Sequence, residues 1–217
     1  MRGLKVVGMA SLLALSVSVP AWATPSSPGV PITSPPPTLT ANGDVTALYA
    51  FADAGDTSNM GELLPVPIPH IFSNHANGAF TANVSGDAVD LGVQNGSMVF
   101  TLSDITNLEN YTSNLADING NYHIFVSSNF ADFNVGALPA GAAAYEAAHP
   151  TLSWIYVGWE DRTVAEGSDF DYNDLIFAFS NLIIVRNVPE PITLSLMGAG
   201  LAGLGALRRR RKSSQVA

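Results

Sequence analysis

Between residues 41 and 187 the apolar residues come in short runs, each broken within a few positions by Gly, Asn, Asp or Ser. DVTALYAF, SMVFTL, NYHIFV, TLSWIYVGW and DLIFAFSNLIIV are strand-length and rich in β-branched and aromatic residues. The stretches SGD, QNGS and INGN between them carry turn chemistry. One segment has helical composition, AGAAAYEAAH at 140–149, and Pro150 ends it. No repeat period is visible. This texture predicts an all-β body over 41–187: an antiparallel β-sandwich, jelly-roll-like, with one small helix.

The ends differ in kind from the body. MRGLK is a short basic start, and the mostly apolar run after it, 6–19, has 14 residues, too few for a span that needs ~20. With AWA placing small residues at Ala21 and Ala23, segment 1–23 is expected to be a secretory signal cut by signal peptidase. Segment 24–40, TPSSPGVPITSPPPTLT, has six prolines in seventeen positions and reads as a semi-rigid, extended leader. At the other end no charge interrupts 191–207, which as a helix would span roughly 25 Å. Its four glycines, Gly198, Gly200, Gly203 and Gly205, suit lipid, where the backbone has no other hydrogen-bonding partner. Arg208, Arg209, Arg210, Arg211 and Lys212 follow at once. A transmembrane helix at 191–207 stopped by this cluster on the cytoplasmic side is expected.

Val188, Pro189, Glu190 and Pro191, then a Gly-rich apolar helix and a terminal basic cluster, resemble the PEP-CTERM sorting signal over 188–217. The resemblance implies processing by a membrane-embedded exosortase at the Pro-Glu-Pro motif. It implies a passing anchorage in the inner membrane of a Gram-negative bacterium, then a place on the cell surface or in an exopolysaccharide biofilm matrix. The two prolines keep the motif extended, because proline disfavours helix at the residue before it.

Charge narrows the partners. Segment 24–187 holds seventeen of the eighteen acids against Arg162 and Arg186, a net charge of −15. Such a surface repels phosphate backbones, which excludes nucleic acid and leaves cations, neutral polymers or basic surfaces. With no cysteine in the chain, disulfide and thiol chemistry are excluded.

One stretch carries plausible chemistry, WEDRTVAEGSDFDYNDLIFAF at 159–179. Asp169, Asp171, Asn173 and Asp174 offer four oxygen-bearing side chains within six residues, with Glu160, Asp161 and Glu166 upstream. Alternating hard oxygen donors suit Ca²⁺, which takes ~6–8 of them. Two carboxylates ~5 Å apart repel by roughly 3 kcal/mol at an effective dielectric near 20, which a cation relieves. The alternative is an acidic turn whose Asp and Asn side chains cap backbone N–H groups. A flat strand over 169–179 would line Asp169, Asp171 and Asn173 up with Leu175, Phe177 and Phe179 on one face. The run is therefore expected to curl out of the sheet before Leu175. It is not an EF-hand, since Asp174 replaces the required Gly and Ser180 stands where the bidentate Glu belongs.

GWEDR followed by GSDFDYNDLIFAF also resembles the C-terminal signature of the DUF4114 family over about 25 residues. That resemblance implies an exported bacterial β-domain that binds a cation, with no assigned reaction.

No enzyme is expected. His70, His75, His123 and His149 form no close metal pair and read as loop or core histidines. No GxSxG elbow marks a nucleophile. Two alternatives stay open: a matrix lectin that stacks sugars on Trp154 or Trp159, and a glycan-degrading enzyme that uses two of the acids. The leading expectation is an exported, non-enzymatic Ca²⁺-binding protein, with extracellular polysaccharide as a possible partner.

The tail supplies a test in cells that contain an exosortase. Replacing Glu190, or deleting 208–212, is expected to trap or misroute the protein. Normal release of both variants into the medium, measured by cell fractionation, would defeat the sorting assignment.

Overall fold

A computed structural model describes residues 29–185. The expected signal segment 1–23 with Ala21 and Ala23, the sorting residues Val188 to Pro191, the helix 191–207 and the basic cluster Arg208 to Lys212 lie outside the described residues.

Nine strands, β1 (Thr38–Ala52), β2 (Ser58–Leu64), β3 (Ile68–Ser73), β4 (Ala88–Asp104), β5 (Glu109–Thr112), β6 (Ile124–Ser127), β7 (Trp154–Trp159), β8 (Leu175–Ser180) and β9 (Leu182–Val185), join in one antiparallel sheet. Its order is β3-β2-β4-β1-β8-β7-β6, with β5 added to β4 and β9 to β1. The one α-helix among the described residues, α1 (Ala140–Ala148), falls where the Ala-rich stretch predicted it, and His149 is its C-cap. No helix among the described residues is long and apolar enough to cross a membrane.

The sheet folds over itself through β4. Its first part, up to Met98, pairs with β1, and the part from Val99 to Asp104 pairs with β2, with β5 on its other edge. Residues from distant strands then meet face to face. Phe100 stacks on Phe179 at 4.3 Å between centroids, and Phe72 on Phe177 at 5.6 Å. Around them lies the main core, with Val45, Tyr49, Met60, Leu102, Trp159 and Leu175. A second core forms on the other face of β8, where Ile176 and Ala178 meet Phe125, Phe133, Tyr156 and Tyr172, with Ala142 of α1. β8 is thus buried on both faces, which is why its sequence shows no alternation.

Several elements depart from the sequence expectation. QNGS is no turn: Gln94, Asn95 and Gly96 stay within β4 and pair with Gly43, Asn42 and Ala41 of β1. Two polar, Gly-containing stretches satisfy one another's backbone groups there, and Gly43 and Gly96 take the positive φ of +131° and +107° that such twisted pairing uses. The β2–β3 hairpin went unread because Pro65, Pro67 and Pro69 interrupt it. The structure places Pro65 and Pro67 in the connection and Pro69 in an edge strand, where a missing donor costs no ladder bond. The leader assigned to 24–40 ends early as well. Thr38, Leu39 and Thr40 already pair with Val185, Ile184 and Ile183 in β9, and Ile32 bridges Tyr122.

Glu62 in β2 is 2 % exposed, and both its carboxylate oxygens lack a hydrogen-bond partner. Burial raises its pKa from the usual 4.5 to about 7. The neutral form is the one the fold accepts, so stability is full below the ordinary carboxyl range and is lost as pH rises through about 7. Glu62→Gln is expected to stabilise the chain by about 2 kcal/mol at pH 8. It should also flatten the decline in melting temperature between pH 5 and 8 by about 5 °C. Parallel melting curves for parent and variant across that range would contradict this reading.

Candidate metal centre

β7 and β8 are antiparallel neighbours with Trp159 opposite Leu175. The residues that leave β7 and those that enter β8 therefore share one end of the sheet, and Glu160 comes beside Asp169 and Asp171. The chain between them makes a 3₁₀ turn at Val164–Glu166, closed by a capping box in which the Glu166 carboxylate accepts from the Thr163 N–H at 2.7 Å. Gly167, at φ +88°, turns the chain back.

The expected curl before Leu175 is present, and its mechanism is specific. Phe170 and Tyr172 both adopt left-handed backbone, at φ +52° and +58°, a conformation that is costly for bulky residues. Their rings are buried in the second core, at 5 % and 0 % exposure, which holds the strained backbone in place. Asp171 between them and Asp169 before them group instead with Glu160. Gly158 in β7 accommodates the loop: a Cβ there would lie 2.2 Å from the Tyr172 carbonyl oxygen.

Glu160, Asp169 and Asp171 each contribute a carboxylate oxygen to a group whose members all lie within 4.8 Å of one another. Glu160 and Asp171 are buried and Asp169 is exposed. Glu160 is 1 % exposed, and its Oε2 has no hydrogen-bond partner. A buried carboxylate oxygen without a donor is expensive unless a proton or a cation meets it. Burial, then repulsion from Asp174, pushes the Glu160 carboxyl well above its usual range. Asp161, also 1 % exposed with Oδ2 unpartnered, is raised by burial and by the charges of Asp174, Asp56 and Asp104. Burial raises Asp174 too.

Of the five expected ligands the structure brings three together as carboxylates. The other two take supporting positions. The Asn173 side-chain amide donates to Asp171 Oδ2, which orients that carboxylate. Asp174 Oδ2 accepts from the Asp161 N–H at 2.9 Å, and its carbonyl accepts from the Asp53 N–H at 2.9 Å. Capping and convergence of acids thus occur in the same loop. Three oxygen donors, one of them orphaned and buried, fit a hard cation such as Ca²⁺, with water completing the shell.

Sequence reading missed a second row of acids behind this group. Arg162 Nε donates to Asp56 Oδ2 at 2.6 Å, and the Asn107 amide donates to both Asp56 Oδ2 and Asp104 Oδ2. Asp56 is 106 positions from Arg162, so no local pattern signals the pairing. His123 is a core histidine: its Nδ1 donates to the Glu160 carbonyl at 3.0 Å, its Nε2 faces Asp117, and its ring stacks on Tyr111. Trp159 is fully buried and offers no stacking face for a sugar. Trp154 is half-buried and packs edge-on against Tyr145.

Comparison with known proteins bears on the tail alone. The PEP-CTERM protein-sorting motif matches residues 187–211. No curated protein and no solved structure matches the chain. The motif marks a secreted protein that is sorted by an exosortase and held transiently at a membrane by its C-terminus.

Glu160→Gln separates two consequences of this geometry. Because burial disfavours the charged form, the variant is expected to melt at or above the parent at pH 8 in chelator. With calcium added, the parent should gain stability and the variant should not. A variant that melts several degrees below the parent in chelator would show that the ionised Glu160 stabilises the loop unaided.

Proposed function

We propose that the chain is an exported, non-enzymatic calcium-binding β-domain. It is delivered through its exosortase signal to the cell surface or to an exopolysaccharide matrix. The reading rests on one residue, the buried Glu160, which has an unpartnered Oε2 and whose carboxylate lies in a group within 4.8 Å with those of Asp169 and Asp171. Calcium neutralises that group, relieves the repulsion that raises the neighbouring carboxyls, and fixes the entrance to β8. Asn173 and Asp174 support the ligands rather than complete the shell.

The finer architecture belongs to the same proposal. The folded-over sheet, with its aromatic stacks between β3, β4 and β8, is read as a jelly-roll-like β-sandwich. The likeness of the loop to the DUF4114 signature rests on the residues 158–179 themselves. Segment 191–207 supplies the temporary transmembrane helix, and release outside the cell leaves the −15 charge of the body to hold cations among neutral polysaccharide chains.

Calcium is tested on the full chain in detergent, by thermal melting with ~1 mM calcium and with chelator. A dissociation constant of ~0.1 mM, usual for extracellular modules, gives about 1.4 kcal/mol by linkage and raises the midpoint by about 4 °C. Coincident midpoints would remove the structural ion.

A further inference from the structure

The leader, expected to be a semi-rigid extended segment, meets the acidic loop. The Gly29 N–H donates to the Asp169 carbonyl at 2.6 Å, on the backbone that carries one of the three clustered carboxylates. Three residues on, the Ile32 N–H donates to the Tyr172 hydroxyl at 2.7 Å. That hydroxyl in turn donates to the Tyr122 carbonyl at 3.2 Å, and the Tyr122 N–H donates to the Ile32 carbonyl at 2.7 Å. Segment 29–32 therefore lies between the strip that leads into β6 and the two left-handed residues of the loop. The approach at Gly29 is so close that a Cβ would fall 1.5 Å from the Phe170 carbonyl oxygen.

These contacts bear on ligand geometry for a physical reason. Asp169 is the exposed member of the three, so solvent and its own rotamer freedom both pull its carboxylate away from the others. Phe170 and Tyr172 hold a backbone conformation that relaxes unless something over-determines it. Packing of the two rings fixes one side of the loop. Segment 29–32 adds one hydrogen bond at the Asp169 backbone and one at the Tyr172 hydroxyl, with Ile32 packed against the same core. These two residues flank Asp171, so the clasp grips the ligand run at both ends.

We infer that Gly29 and Ile32 are positioning residues of the cation site: the N-terminal leader is a clasp that holds Asp169 and Asp171 in register with Glu160 and so sets the affinity of the loop for calcium. The inference rests on the function proposed above. It also places the site under the control of the chain's N-terminal region. The clasp starts at Gly29, a few residues after the small-x-small pattern at Ala21 and Ala23. Any barrier to laying 29–32 against the loop weakens the site without touching a ligand.

The test uses the full chain in detergent and calcium itself, titrated calorimetrically. Two variants are compared with the parent: Gly29→Ala, which puts a methyl into the Phe170 carbonyl, and Ile32→Pro, which removes the N–H given to Tyr172. Each is expected to bind calcium about tenfold more weakly, as loss of one ordering hydrogen bond would cause. Both are expected to melt somewhat below the parent in chelator, so the deciding readout is the calcium affinity of the folded variants, which a purely structural role would leave unchanged. Equal affinity in parent and variants overturns the clasp while leaving the calcium site intact. No calcium uptake by the parent removes the proposed function itself, and the positioning role with it. Hydrogen exchange on the unaltered chain gives a readout free of folding defects. The Gly29 and Ile32 amides should slow together with 168–174 when calcium is added, and rapid exchange at both amides in either condition overturns the clasp.

Discussion

Burial of β8 on both faces is the constraint on which the other features depend. Leu175, Phe177 and Phe179 fill the main core, and Ile176 and Ala178 fill the second, so the strand has no side left for solvent. Each fully buried large apolar side chain contributes about 1.5–3 kcal/mol, and no charged residue has a place along the strand, whose one polar side chain, Ser180, accepts from the Thr46 N–H. The acids that precede it must therefore leave the sheet abruptly at Asp174. The carboxylate group exists because the core permits no gradual exit.

The second core secures that exit. Phe170 and Tyr172 project into it from left-handed backbone, and Gly158 in the adjacent strand leaves room for the Tyr172 carbonyl. Asp169 and Asp171, which alternate with these rings, turn toward Glu160 at the end of β7. Aromatic packing and electrostatic repulsion thus oppose each other within six residues. Packing draws the acids together and out of water, so burial first, and their mutual charge after it, raises the carboxyls of Glu160, Asp161 and Asp174. Among the described residues Arg162 is the only Lys or Arg, and Asp56 already engages it. A proton or a diffusible cation is what remains to balance the group.

The acidic end and the tail are separated by the length of β1. β9, which leads toward the sorting motif, pairs with the start of β1 at Thr38, whereas Leu175 at the mouth of the acidic loop pairs with its last residue, Ala52. At about 3.3 Å per residue the two ends lie some 40 Å apart along the strand. The carboxylate group thus lies at the opposite end of β1 from the strand that leads toward the sorting motif.

Periodicity and composition were enough for the strand-rich body, the helix at 140–148, and the need for a curl before Leu175, because each depends on residues close in the chain. The sorting signal was legible for the same reason, as motif, apolar stretch and basic cluster follow in order within thirty residues. Strands with prolines or glycines inside them were not legible. Pro69 is harmless only because β3 lies at an edge, and QNGS is extended only because ANGD of β1 runs opposite it. The loop's oxygen donors were named by spacing, but their division into acids that converge and residues that orient them was not. The partner that decides it, Glu160 against Asp169 and Asp171, comes from strand pairing across β7 and β8. Asp56, Asp104 and the clasp at Gly29 and Ile32 arise from contacts between residues tens of positions or more apart. The sequence by itself determined what is local: a β-rich acidic body, an oxygen-rich loop and an address for export. Only the tertiary structure decided which acids meet, because that depends on where the folded sheet lays one end of the chain against another.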